Sequence, residues 1–334
     1  PLIFVIIKIY IKNILSKDYK YYMKILAVQN RMGIGDTVIF LPFIKALSEK
    51  YSSPVSLLVK RNSKADQFLY ESNYIDKILF LERDKKENRH KGLLGGLNLI
   101  KDIKIHNFDK IIIFNSSLRY NLVAKLTGIK SVYQYPLFRS KDNIMLSAKI
   151  FAEDITNKVI STEPSLIIKK RDNNLDKNFR YICLGISSSG PTKRWDINNY
   201  IKLAEKINKK IKCKFYIAGG KNDIDLINKF KNSSVGKDSL SFEKMNIKET
   251  LQYIANCNLY IGNDTGWAHI SVGLNVKALT IFCDSPVAAY GSYSSKMITI
   301  EPEGVTKGTT THDTLGKDKI SFEEVLNKSI AMLN

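Results

Sequence analysis

From Met23 onward, short apolar runs alternate with longer amphipathic stretches, and this alternation constrains the fold more than any other feature of the chain. The runs at 25–28, 55–59, 77–81, 110–114, 181–185, 214–218, 258–261 and 277–282 have the length of strands buried on both faces. Between them, residues 38–50, 93–104, 197–208 and 247–256 place apolar side chains at helical spacing. Strands alternating with helices predict parallel sheets covered on both faces, an α/β class. The polar segment 158–180 breaks the pattern once and reads as a linker between two such sheets. A length of 334 residues also suits about two domains. The expected division is an extension or interfacial segment at 1–22, a first domain at 23–157, the linker at 158–180, and a second domain at 181–334. Ser321 followed three residues later by Glu324 predicts a capping box on the closing helix. That helix belongs to the second domain or packs back on the first.

Lys and Arg total 52 against 32 Asp and Glu, a net charge of +20. Such an excess suits an anionic partner: nucleic acid, an acidic membrane surface or a phosphorylated substrate. A general bias toward Lys, Ile and Asn also accounts for many of these lysines as solvated side chains. No zinc-finger, RNA-recognition or basic-zipper pattern accompanies the charge, so no nucleic acid is expected. Cys183, Cys213, Cys257 and Cys283 form no C-x-x-C pair and show no zinc-like spacing with His. They read as reduced, buried thiols of a cytoplasmic protein, with no metal site. Residues 2–7 are apolar, but Lys8 and Lys12 interrupt the stretch before it could span a bilayer. Lys8, Lys12 and Ser16 would share one face of a helix, as in an interfacial anchor. The simpler reading is that Met23-Lys24-Ile25 is the natural start and the residues before it an extension.

In open α/β sheets ligands bind beyond the carboxyl ends of the strands, and three loops there carry chemistry. The first, after residues 25–28, holds Gly33, Gly35 and Asp36 at a helix start. The glycines allow close approach of backbone to a ligand. Asp36 reads either as an N-cap or as a general base at the mouth of a cleft. The second, after Gly185, holds Ser188, Ser189, Gly190, Thr192, Lys193 and Arg194. Its hydroxyls and cations make a diphosphate cradle or a solvated polar loop. Trp195 beside it reads as core. The third, Gly262 to His269, would aim the amides of Thr265 and Gly266 at an anion, while Asp264 accepts from sugar hydroxyls. His269, four residues after Thr265, reads equally as a structural histidine.

Together these loops resemble the heptosyltransferases, glycosyltransferase family 9, over nearly the whole chain from Met23. The residues that carry the likeness are Arg31-Met32-Gly33-Ile34-Gly35-Asp36, Thr192-Lys193-Arg194-Trp195 and Gly262-Asn263-Asp264-Thr265-Gly266-Trp267-Ala268-His269, in this order. The resemblance implies a GT-B fold, two Rossmann-like domains facing each other across a cleft. It implies inverting, metal-independent transfer of a sugar, typically heptose from ADP-heptose, onto lipopolysaccharide core, without a cofactor. Asp36 then matches the base and Lys193 the cation facing the leaving diphosphate. Ser188, Ser189 and Thr192 fall near the phosphates. Asp264, Thr265, Gly266 and His269 fall at the donor sugar and diphosphate, and Gly219, Gly220 and Asn222 where the nucleoside lies.

The chain departs from the family at Cys283-Asp284-Ser285-Pro286, at Trp267, and in residues 304–312. Such loops bear on donor identity. The amino-terminal half should take an anionic, lipid-linked or core-saccharide acceptor, with Arg61, Arg119 and the basic loop 83–91 near lipid phosphates. Peripheral attachment to the cytoplasmic face of the inner membrane would follow. The alternatives are a non-catalytic nucleotide-sugar-binding relative and an epimerase of the same fold. Asp36, Lys193 and Asp264 occurring together argue against a dead site.

Overall fold

A computed structural model describes residues 22–31, 33–83, 88–135, 143–169 and 175–334. The expected interfacial segment before Tyr22, and part of the basic loop, lie outside the described residues.

Two parallel sheets form. The first contains β1 (Ile25–Val28), β2 (Val55–Lys60), β3 (Ile75–Leu81), β4 (Lys110–Ile113) and β5 (Ser131–Gln134), in the order β3-β2-β1-β4-β5. The second contains β6 (Arg180–Gly185), β7 (Cys213–Ala218), β8 (Leu240–Ser241), β9 (Leu259–Asn263), β10 (Ala278–Ile281) and β11 (Met297–Ile300), in the order β11-β10-β9-β6-β7-β8. Every pairing is parallel. The central strands β1 and β4 are buried along their whole length; their residues are apolar save Lys110, whose Nζ donates to Ser131 Oγ at 2.7 Å. Strand order reverses beside β1 in the first sheet and beside β6 in the second, which opens a crevice at those carboxyl ends.

The helices are α1 (Ile34–Tyr51), α2 (Ala65–Phe68), α3 (Gly92–Lys104), α4 (Leu118–Leu126), α5 (Ile144–Thr156), α6 (Ile197–Asn208), α7 (Ile224–Lys231), α8 (Ile247–Ala255), α9 (Gly266–Gly273), α10 (Val287–Tyr290) and α11 (Phe322–Leu333). Helices α1 and α5 cover one face of the first sheet and pack on each other; α3 and α4 cover the other. One core runs from Phe40, Phe43 and Phe114 through Ala268 and Ile270 to Phe282, so the two sheets share apolar packing. Its central joint is α1 against α9.

Segment 159–169 has no regular structure, but Leu166 is buried and its N–H bonds the Gly273 carbonyl at 2.7 Å. Helix α11 buries Val325, Leu326 and Leu333 in the core of the second sheet beside α6, instead of packing back on the first. Ser321 is its N-cap residue, yet the side chain makes no capping bond, so the expected capping box does not form. All four cysteines are free and buried, and Trp195 is core.

Candidate active site

The three loops converge. A cleft of about 380 Å³ between the sheets is lined by Gly33, Gly35 and Asp36 from the first, and Ser188, Ser189 and Lys193 from the second. Asp264, Thr265, Gly266 and His269 line it from the third. A larger concavity, about 730 Å³, opens at the opposite edge of the first sheet, around Met23, Ser53 and Tyr74. It holds none of the residues just named.

Close contact between two glycine-bearing helix starts sets the width of the joint. A Cβ on Gly35 would lie 2.5 Å from His269 Cδ2, and one on Gly266 would lie 2.8 Å from Ile34 Cβ. Each glycine therefore serves the other loop: without a side chain, α1 and α9 meet end to end and their first turns face one cavity. The helix starts present N–H groups that have no intrahelical partner, and their dipoles favour an anion there.

Asp36 is the third residue of α1, where its Oδ2 accepts from the Gly33 N–H at 2.9 Å. Its Oδ1 accepts from Arg31 Nε at 2.7 Å. It is thus a cap of its own helix and also a cleft residue, with lone pairs left for a further donor. Arg31 reaches across the joint, its NH2 donating to the Tyr290 hydroxyl of α10 at 3.2 Å. Burial disfavours the Arg31 charge, but Asp36 and Tyr290 together more than offset this and raise its pKa. Burial and the nearby Asp36 charge push the Tyr290 phenol up.

Asp264 is held differently. His269 Nε2 lies 3.3 Å from Asp264 Oδ1, and Nδ1 lies 2.8 Å from the Tyr293 hydroxyl. A carboxylate only accepts, so Nε2 donates, and in the neutral ring Nδ1 accepts the phenol proton. The imidazole also stacks on Tyr293, with centroids 5.6 Å apart. Burial pushes the Tyr293 phenol well up. His269 is therefore a buried residue that holds Asp264 in place, as its structural reading expects, and it also lines the cleft.

In the second loop Lys193 Nζ lies 3.3 Å from His312 Nδ1. An ammonium only donates, so His312 Nδ1 accepts, and His312 lines the cleft as well. Both departing loops thus contribute to the site, since Ser285 lines it too. Thr192 does not line it; its side chain bonds Asp284. Burial of Asp284 opposes ionisation, but the Leu315 N–H, Thr192, Lys193 and His312 together lower its pKa. Ser188 and Ser189 also line a second cavity of about 380 Å³, with Gly220 and Asn222 on its far side. Arg194 spans this second cavity, from Ser188 Oγ at 3.2 Å to Asp223 Oδ1 at 3.3 Å. Gly219 packs just behind Asp223.

Asn263, which carried no role in the sequence reading, joins the second and third loops. Fully buried, it accepts from the Trp195 N–H at 2.9 Å and donates to the carbonyls of Ile186 and Ser187. Its place between Gly262 and Asp264 was the available signal. Tyr290 and Tyr293 had none. Arg61 and Arg119 do not line the cleft. Arg61 pairs with Glu82 at 2.7 Å and lies over the Phe80 ring. Arg119 donates to the carbonyls of His90 and Gly92, tying the starts of α3 and α4 together. Among the described residues no group of three or more His, Cys, Asp or Glu could hold a metal ion.

Two Rossmann-like sheets meeting at a cleft between their carboxyl ends define the GT-B class. The model of glycosyltransferase family 9 (heptosyltransferase) matches residues 140–317, more than half of the chain. The chain belongs to this family and is a glycosyltransferase. It is 26% identical over 246 residues to lipooligosaccharide heptosyltransferase 2 of Campylobacter jejuni serotype O:6, covering 69% of this chain and 76% of that one. The serotype O:2 counterpart is 26% identical over 264 residues, covering 75% and 77%. Among solved structures, a family 9 glycosyltransferase from Veillonella parvula superposes with a TM-score of 0.76 at 18% identity, over 93% of this chain and 97% of that one. Escherichia coli ADP-heptose lps heptosyltransferase II superposes with a TM-score of 0.69 at 19% identity, over 93% and 98%.

Proposed function

We propose that the protein transfers heptose from ADP-heptose to a saccharide of the lipopolysaccharide core, with inversion at the anomeric carbon. The observation that carries this reading is the meeting of Asp36, Lys193 and the Asp264–Gly266 loop in one cleft. The names of similar proteins support the donor and the acceptor: two are lipooligosaccharide heptosyltransferases, and another solved relative is E. coli heptosyltransferase WaaC with ADP.

In this reading the diphosphate lies against the start of α9, Ser188, Ser189 and Lys193, with the nucleoside in the neighbouring cavity at Gly220 and Asn222. Asp264 holds donor-sugar hydroxyls. The acceptor hydroxyl approaches from the first sheet and attacks the anomeric carbon. Its proton passes to the Asp36 carboxylate as the new C–O bond forms. The bond to the diphosphate oxygen breaks, and ADP leaves with the electron pair. Lys193 and the helix-start amides stabilise that charge more in the transition state than in the ground state. One displacement with one base needs no covalent nucleophile and inverts the centre.

Incubation with ADP-heptose and a truncated core acceptor, followed by NMR of the product, tests this. A new glycosidic bond of opposite anomeric configuration to the donor is expected. Retention of configuration, or release of ADP without a disaccharide, would contradict the mechanism.

A further inference from the structure

Helices α3 and α4 lie side by side on one face of the first sheet. Inward, Gly95, Leu99 and Ile103 on α3, and Tyr120, Val123 and Ala124 on α4, pack into the core. Outward, both helices carry leucine where a solvated helix carries polar groups. Leu93 is 94% exposed and Leu97 54%; Leu118 is 67% exposed, Leu122 59% and Leu126 55%. Four-residue spacing sets each group along one stripe. Arg119 locks the two helix starts together, so the stripes form one patch. Isolated exposed leucines are ordinary, but a contiguous apolar patch marks a contact surface.

Charge selects what that surface meets. Exposed Lys101, Lys104 and Lys125 lie on the same two helices, with exposed Lys91 just before α3 and Lys130 shortly after α4. The acidic Asp102 is already engaged by Arg89 and His90. A two-fold dimer through this face would bring a second set of the same lysines against the first, with no free carboxylate of the two helices to meet them. An anionic lipid surface complements both the leucines and the lysines. Position fits as well: Leu118 follows the carboxyl end of β4, at the sheet edge that opens on the cleft.

We infer that the outer face of α3 and α4 docks on an anionic phospholipid bilayer, with leucines entering the interface and lysines pairing with headgroups. The role of this docking, presenting a lipid-carried acceptor to the cleft, rests on the function proposed above. The docking itself does not.

Flotation of the full chain with vesicles, in the absence of donor, tests it. Vesicles of phosphatidylcholine alone are compared with vesicles containing about 30% phosphatidylglycerol. The wild type should float with the anionic vesicles and not the neutral ones. The Leu93→Ser/Leu118→Ser/Leu122→Ser variant should lose roughly tenfold in partition. Its melting temperature should stay unchanged, as should its transfer to a water-soluble acceptor fragment. Lys101→Glu/Lys125→Glu should also weaken binding to the anionic vesicles. Equal flotation of wild type and leucine variant would overturn the inference, because attachment would then lie elsewhere. A wild type that never floats would also overturn it. So would a wild-type dimer that the leucine changes turn into a monomer. Vesicle binding without heptose transfer would refute the proposed function and leave the docking surface standing.

Discussion

Asp36 and Asp264 line the same cleft from opposite halves of the molecule, Asp36 within the first turn of α1 beyond β1 and Asp264 between the end of β9 and the start of α9. Their side chains are almost equally accessible, 14% and 13%. Their partners differ. A guanidinium and a backbone amide of its own loop hold Asp36; an imidazole that a buried phenol orients in turn holds Asp264. Two different βα loops thus bring two carboxylates to one cleft, and different neighbouring side chains hold them. Arg31 reaches Tyr290 in the other half, so the Asp36 end of the cleft joins both halves. His269, Tyr293 and Asp264 all belong to the second half, so the hydrogen bonds that hold the Asp264 end stay within that half.

The sharpest way to break this contrast is to neutralise each carboxylate. Asp36→Asn should lower turnover by roughly 10²–10⁴-fold, the range of a lost general base, and leave ADP-heptose affinity nearly unchanged. Loss of affinity in equal measure, read by calorimetry, would make Asp36 a binding residue instead of a base. Lys193→Ala should cost roughly 10²–10³-fold in kcat and also weaken ADP binding, because the cation meets the diphosphate before and during bond cleavage. Gly35→Ala forces a methyl group against the His269 ring and should destabilise the fold by about 1–3 kcal/mol in a denaturant titration. Unchanged stability would mean that the two helix starts part easily. Tyr293→Phe removes only the phenol partner of His269 Nδ1. It should cost about 1 kcal/mol of stability and a few-fold in KM for the donor, with kcat kept.

The same comparison shows what was legible in the sequence. Strands at the centre of each sheet announce themselves, because burial on both faces demands runs such as Lys110–Ile113 followed by Phe114. The three unforeseen strands, β5, β8 and β11, are all sheet edges. Edge strands are short and half-wetted: Ser131–Gln134 mixes polar and apolar residues, and Leu240–Ser241 has only two. Helix α1 begins at Ile34, four residues earlier than its apolar periodicity suggests, because glycines and an aspartate form its first turn for the sake of the cleft. In the site, loops adjacent to strands were readable because backbone geometry and residue chemistry coincide there. Contacts across the joint, such as Arg31 to Tyr290 or Lys193 to His312, join residues 259 and 119 positions apart, and no local pattern encodes them.

The central claim is that the cleft between the two sheets is a site for an adenine nucleotide sugar. It meets its most direct test in the melting temperature of the metal-free protein with ADP, UDP, GDP, CDP and their sugars. A ligand at 100 times its dissociation constant adds about 2.7 kcal/mol of stability, well within the reach of such a measurement. Selective stabilisation by ADP and ADP-heptose, weakened in Lys193→Ala, is the predicted result. Stabilisation by a different nucleotide alone, or by none of them, would contradict it.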